Sequence, residues 1–145
     1  MNGATSPATG LVHATTVAVD RRAVLIFGPS GSGKSSLALQ LMAAGAVLVS
    51  DDQTLLSRRE DQLWAAPPAA LTGRIEARGI GLLAAPFVQG ARVALAVDLA
   101  QTEAARLPPE RWIEHFGVTV PCLHRAEGAH FPAAILLYLK AGRVA

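Results

Sequence analysis

Residues 28–35 read G-P-S-G-S-G-K-S, an instance of G-x-x-x-x-G-K-[ST]. The chemistry accounts for the spelling. Several consecutive backbone N–H groups must turn toward one phosphate chain, and glycine allows the left-handed dihedrals this needs. A helix starting at the end of the loop adds partial positive charge behind the anion. Lys34 is placed to reach the β- and γ-phosphates, and the Ser35 hydroxyl to ligate Mg²⁺. Eleven of the 13 basic residues are Arg, yet a Lys stands here, where a compact point charge suits phosphate. The nucleotide phosphates are therefore assigned to Gly28, Pro29, Ser30, Gly31, Ser32, Gly33, Lys34 and Ser35.

The flanks agree with this reading. Ala23–Phe27 (A-V-L-I-F) is an apolar run long enough for a buried strand. Ser35–Ala44 is built of helix formers and stops at Gly45. Upstream, His13–Asp20 (H-A-T-T-V-A-V-D) is rich in β-branched residues and reads as a strand. Arg21-Arg22 then forms a tight turn into Ala23. Antiparallel pairing would bring His13 back toward Gly28, though a surface histidine at a strand end has the same appearance. Met1–Gly10 is small and polar and reads as a flexible tail, leaving one domain over 11–145.

Downstream, Ala46–Ser50 is a second apolar strand and ends in Asp51-Asp52. An apolar strand ending in an acid resembles the Walker B arrangement, with a carboxylate beside Mg²⁺. The alternative is a turn acid opening a hairpin. Neighbouring residues of an extended chain face opposite ways, so the two acids are expected to play different roles. Thr54–Ser57 and Gln62–Ala65 read as a hairpin turning at Arg58–Asp61, with Trp64 in the core or at its rim. In Leu71–Leu83, Arg74, Glu76 and Arg78 alternate with Ile75 and Ala77, so the charges share one strand face. Glu76 between two arginines could hold a metal or a phosphate group, or simply pair on the surface. Ala91–Leu99 reads as a buried strand. Thr102–His115 has helical composition broken by Pro108-Pro109, and Gly117–Val120 is a short strand stopped by Pro121. His124, Arg125 and His130 read as solvated loop residues, and Ala133–Val144 as a terminal helix or strand.

Bulk properties narrow the function. The apolar fraction is 51%, but Ala supplies 28 residues, so the core is built from small side chains. Net charge is +2, and adjacent basic residues occur only at Arg21-Arg22 and Arg58-Arg59, which argues against nucleic acid as a partner. The apolar run Ala133–Leu139 is too short to span a bilayer, so no membrane partner is expected. The single Cys122 and the absence of a secretory signal suit the cytoplasm. Many β runs with one long helix point to an α/β, P-loop NTPase-like domain with a mixed, strand-rich sheet.

Four blocks at matching spacing carry a family resemblance. They are the histidine-headed strand from His13, G-P-S-G-S-G-K-S, V-S-D-D at 49–52 and I-E-A-R-G-I-G-L at 75–82. Together they resemble the catalytic domain of HPr kinase/phosphorylase, in its short proteobacterial form, over about Leu11 to Pro121. The resemblance implies an ATP-dependent serine kinase acting on HPr or a related phosphocarrier protein, with a phosphate-dependent phosphorylase as the reverse activity. It implies ATP and Mg²⁺ as cofactors, with the metal on Ser35 and Glu76; Asp51 joins them from its own position, as an acid ending an apolar strand. Asp52 would be the proton acceptor, supported by His13 and Lys34, and Arg106 would serve dephosphorylation. The family forms hexamers, which raises a homo-oligomer without deciding it. Two other classes stay open: a small-molecule kinase on a P-loop domain, and a nucleotide-sensing module without catalysis.

Overall fold

The computed structural model describes residues 8–145. The run read as the central strand is Arg22–Phe27 (β3), and Ala23 to Ile26 are fully buried on both faces. It lies inside a nine-stranded sheet. One neighbour is Ala14–Val19 (β2), antiparallel, with Ala14 opposite Phe27. The other is Ala91–Thr102 (β9), parallel. Val47–Ser50 (β4) closes one end against β2. The hairpin of Thr54–Arg59 (β5) and Gln62–Ala66 (β6) extends the other end, and Thr9–Val12 (β1) pairs with β5. A strand buried on both faces needs a continuous apolar run, which Ala23–Phe27 supplies.

Side-chain alternation along β3 divides the core. Val24 and Ile26 pack toward Lys34–Ala43 (α1) and Phe131–Ala141 (α2), with Leu41, Leu95 and Ile135. Ala23 and Leu25 face the opposite side, where Leu56, Leu63 and Val93 meet them beneath the curled sheet. Truncating Leu25 or Ile26 to Ala would cost about 2–5 kcal/mol, a large part of the roughly 5–15 kcal/mol that holds such a domain folded. Arg74–Ala77 (β7) and Gly81–Ala84 (β8) form a separate two-stranded ribbon. Its Ile75 and Ala77 are buried, while Glu76 is exposed, as the alternation required.

Several expectations change. Thr9 and Gly10, expected in the N-terminal tail, belong to β1; the remainder of that expectation, residues 1–7, lies outside the described residues. The β2–β3 turn is at Asp20-Arg21, both at positive φ (51° and 64°), one residue earlier than expected. This is the dihedral pattern that matches hairpin twist. Arg22 is thereby freed to cap α2, donating to the carbonyls of Leu139 (2.9 Å) and Lys140 (2.7 Å).

Thr102–His115 is not helical. β9 continues to Thr102, and Trp112–His115 (β10) is a strand. Pro108-Pro109 interrupts any helix, and Arg111 clamps Glu103 through two hydrogen bonds of 3.0 Å, closing the segment as a loop. That contact holds the Glu103 carboxyl below its usual range. Nor does Pro121 stop a strand: Val118–Arg125 (β11) runs through it. Cys122 N–H donates to Arg111 O at 2.8 Å, so the adjacent Trp112–Pro121 pair is a non-hydrogen-bonded one. The missing proline N–H therefore costs no bond to β10. Beyond Pro121, β11 switches to parallel pairing with β9. Among the described residues no helix is long and apolar enough to cross a membrane.

Candidate active site

β3 delivers the chain into the Gly28–Ser35 loop, and α1 leaves it at Lys34. Gly28 has φ +155°, and a Cβ there would lie 2.3 Å from Ser32 Oγ. The loop thus folds back on its own first residue, which only glycine permits. Gly33 ends the loop in the left-handed region at φ 99° and accepts the first helical hydrogen bond, from Leu37 N–H at 2.9 Å. Lys34 is buried, and its ammonium donates to the carbonyls of Gly28 (2.8 Å) and Pro29 (3.3 Å). Its charge is held over the mouth of the loop.

The two acids after β4 diverge, though not by strand alternation: both lie beyond the strand, and Asp52 has left-handed backbone. Asp51 is buried beneath the loop. Its Oδ1 accepts from Ser35 Oγ (2.7 Å) and Thr15 Oγ1 (3.0 Å), and its Oδ2 from the Glu76 backbone N–H (2.9 Å). One carboxylate therefore joins β2, α1 and β7. Asp52 turns outward, at φ 67°, and its Oδ1 lies 2.7 Å from His13 Nε2. Its backbone N–H donates to Thr15 Oγ1 at 3.1 Å. His13 is in the bend between β1 and β2, directly before Ala14, which pairs with Phe27. The β2–β3 pairing thus brings it beside the loop.

An open cleft of about 380 Å³ lies between these elements. Gly31, Gly33 and Lys34 form one side, and Asp52, Glu76 and Arg78 the other. A Cβ on Gly31 would sit 4.0 Å from Arg78 Nη2, so that guanidinium faces the loop. Cations thus stand on both sides of the cleft, with the Asp52 and Glu76 carboxylates beside Arg78. The donor set suits a hard cation. Asp51 is buried, its hydrogen-bond partners are all uncharged, and among the described residues neither it nor Glu76 is in an ion pair. Two carboxylates and the Ser35 hydroxyl are oxygen ligands of the kind Mg²⁺ takes.

The expected site residues therefore assemble, with one exception. Arg106 lies exposed on the irregular segment after β9 and does not line the cleft. Two further residues contribute. Arg125, expected in a solvated loop with His124, is on β11 beside it, and its Nη2 donates to the carbonyls of Ser32 and Leu99. Thr15 bridges the two acids. A threonine inside the apolar run of β2 is a buried hydroxyl that must find partners, and that was its signal. The lone Cys122 is buried on β11, and burial pushes its thiol above the usual range, so it offers no thiolate.

The family model described as HPr Serine kinase C-terminal domain matches residues 6–104. The chain belongs to this family. Among HPr kinase/phosphorylases, that of Mycoplasmopsis pulmonis is 40% identical over 84 residues, covering 58% of this chain and 27% of that protein. That of Streptococcus uberis is 32% identical over 123 residues, covering 76% and 40%. The domain thus spans between about a quarter and two fifths of these relatives' length. The HPr(Ser) kinase/phosphatase from Coxiella burnetii superposes with a TM-score of 0.76 at 26% identity, covering 90% of this chain and 94% of that one. This likeness extends to the strand-rich, mixed sheet of the HPr kinase C-terminal domain.

Proposed function

We propose that this HPr kinase C-terminal domain transfers the γ-phosphoryl group of ATP to a serine of HPr or a related phosphocarrier protein. The observation that carries the proposal is the Asp52–His13 pair standing across one cleft from Lys34. In the forward direction the serine oxygen attacks the γ-phosphorus and its proton passes to the Asp52 carboxylate, a general-base role. The bond from the γ-phosphorus to the bridging oxygen breaks, and ADP leaves. Lys34, Arg78 and the loop amides offset the charge on the moving group. Ser35, Asp51 and Glu76 are the residues that would hold Mg²⁺, which when bound neutralises the β- and γ-phosphate oxygens. In the reverse direction an oxygen of inorganic phosphate attacks phosphoserine, pyrophosphate forms and Asp52 returns the proton to the serine oxygen. Arg78 and Arg125 are better situated than Arg106 to meet phosphate groups. The reading puts the reaction in the cytoplasm, with HPr.

A protein acceptor is favoured over a small metabolite by the rim of the cleft. Ile80 lines it and is 78% exposed, and Leu82 beyond is 62% exposed. Exposed apolar residues beside an open cleft suit a protein surface. The test is incubation with labelled ATP, Mg²⁺ and purified HPr, then phosphate with the phosphorylated product. Phosphoserine on HPr is expected forward and pyrophosphate in reverse. A labelled metabolite with unmodified HPr would establish a small-molecule kinase instead, and nucleotide binding without transfer a sensing module.

A further inference from the structure

A second cleft, of about 300 Å³, opens on the other side of the Gly28–Ser35 loop. Ser36 and Gln40 of α1 form one wall, and Arg125 and Glu127, at the passage from β11 to α2, form the other. Leu99 and Phe131 supply apolar surface between them. Gly33 and Ser36 line both clefts, so the two meet at the start of α1. A ligand whose phosphates lie on the loop, with its reacting end toward Asp52, Glu76 and Arg78, has its other end directed past Ser36. That direction leads into the second cleft.

We propose that the second cleft holds the nucleoside portion of the phosphoryl donor. The inference rests on the nucleotide reading above and adds where the donor's far end is recognised. The volume lies at the lower end of small-molecule sites, and the lining is more polar than apolar, with Ser36, Gln40, Arg125 and Glu127 available to a polar ligand. Leu99 and Phe131 belong to the core and show only their edges at the cleft floor, which a base would cover. The Gln40 carboxamide can both donate to and accept from a base edge, and Glu127 can accept from ribose hydroxyls. The first cleft is unsuited to this part of the ligand, because its carboxylates and its open mouth are needed for the acceptor hydroxyl. Arg125 joins the two ends: it lines the second cleft and hydrogen-bonds the loop carbonyl of Ser32.

The test compares calorimetric binding of ATP and inorganic tripolyphosphate, each with Mg²⁺, to the full chain and to Gln40→Trp and Ala129→Trp. Both positions are exposed and line the cleft, so the added ring fills it without entering the core. The wild type should bind ATP at least tenfold more tightly than tripolyphosphate. Each variant should lose that margin while its tripolyphosphate affinity stays within twofold. Unchanged ATP affinity in both variants, or a wild type that does not prefer ATP over tripolyphosphate, overturns the inference and leaves the nucleotide reading intact. A wild type that binds neither ligand overturns both. Photolabelling the wild type with an azido-ATP and mapping the peptides needs no variant. Label is expected on residues 36–40 or 125–132, and label confined elsewhere overturns the inference.

Discussion

The imidazole Nε2 of His13 lies 2.7 Å from the Asp52 carboxylate, although 39 positions separate the two residues. The contact follows from sheet register: β2 runs antiparallel to β3 and pairs with β4, so the residue before β2 and the second residue after β4 meet at one sheet end. Asp52→Asn should therefore lower the rate of transfer to HPr by about 10²–10⁴-fold, the usual worth of a positioned general base. Asn is the apt replacement, because it tolerates the positive φ at this position. His13→Ala should slow transfer less, leaving the carboxylate without its partner. Single-turnover rates with labelled ATP, alongside equilibrium nucleotide binding, separate these effects. Nucleotide affinity in both variants is expected to stay within a few-fold of the wild type, and a near-normal rate in Asp52→Asn would remove Asp52 as the base.

Thr15 gives a second prediction. Its hydroxyl donates to Asp51 and accepts from the Asp52 backbone, and the residue is fully buried. Thr15→Val keeps the shape but leaves a buried carboxylate short of one donor and an N–H without its acceptor. A loss of about 1–3 kcal/mol in urea unfolding is expected. Transfer rate should fall as well, since Asp52 loses the bond that fixes its backbone. Thr15→Ser should recover most of both quantities, and equal loss in the Val and Ser variants would mean that the methyl group matters, not the hydroxyl.

The parts of this molecule that local chemistry dictates were readable from the sequence. The Ala23–Phe27 run, the glycine loop and the alternation of Ile75 and Ala77 with Glu76 each report a nearby constraint: burial on two faces, left-handed dihedrals, burial on one face. The parts decided by distant partners were not readable. β1 is four small or apolar residues whose strand partner, among the described residues, is β5. β10 lies in a stretch with helical composition, and its strand state comes from pairing with β11. Pro121 looks like a stop until the hydrogen-bond parity of its pair is known. Arg125 became a site residue only because β11 turns to run parallel to β9, which carries it behind the loop.

That position makes Arg125 the subject of a third prediction. One guanidinium nitrogen serves the carbonyls of both Ser32 and Leu99, tying the loop to the end of β9. A lysine ammonium keeps the charge and could serve the two carbonyls, but it lacks the Nε and Nη1 donors that the guanidinium has left over for a ligand once Nη2 is engaged. Arg125→Lys should weaken ATP binding about five- to tenfold and leave the unfolding midpoint close to the wild type. Arg125→Gln should weaken it further. If ATP affinity in both variants equals that of the wild type, the guanidinium does not support the loop.

A fourth prediction concerns pH. His115 stacks on Phe27, with ring centroids 5.8 Å apart, and burial holds its imidazole below the ordinary value of 6.5. The native protein therefore resists protonation there, while the unfolded chain takes up a proton near pH 6.5. As pH falls below about 6.5 the unfolded state binds more protons than the native one, so stability must decrease. The decrease stops once pH passes the native imidazole's own, lower pKa. His115→Gln removes this titration. Urea unfolding of both proteins between pH 8 and pH 5 should show the wild type losing stability relative to the variant below about 6.5. The two should run parallel above about 7, where the imidazole is neutral in both states, and curves parallel across the whole range would mean that Phe27 and its neighbours leave His115 free to titrate as in water.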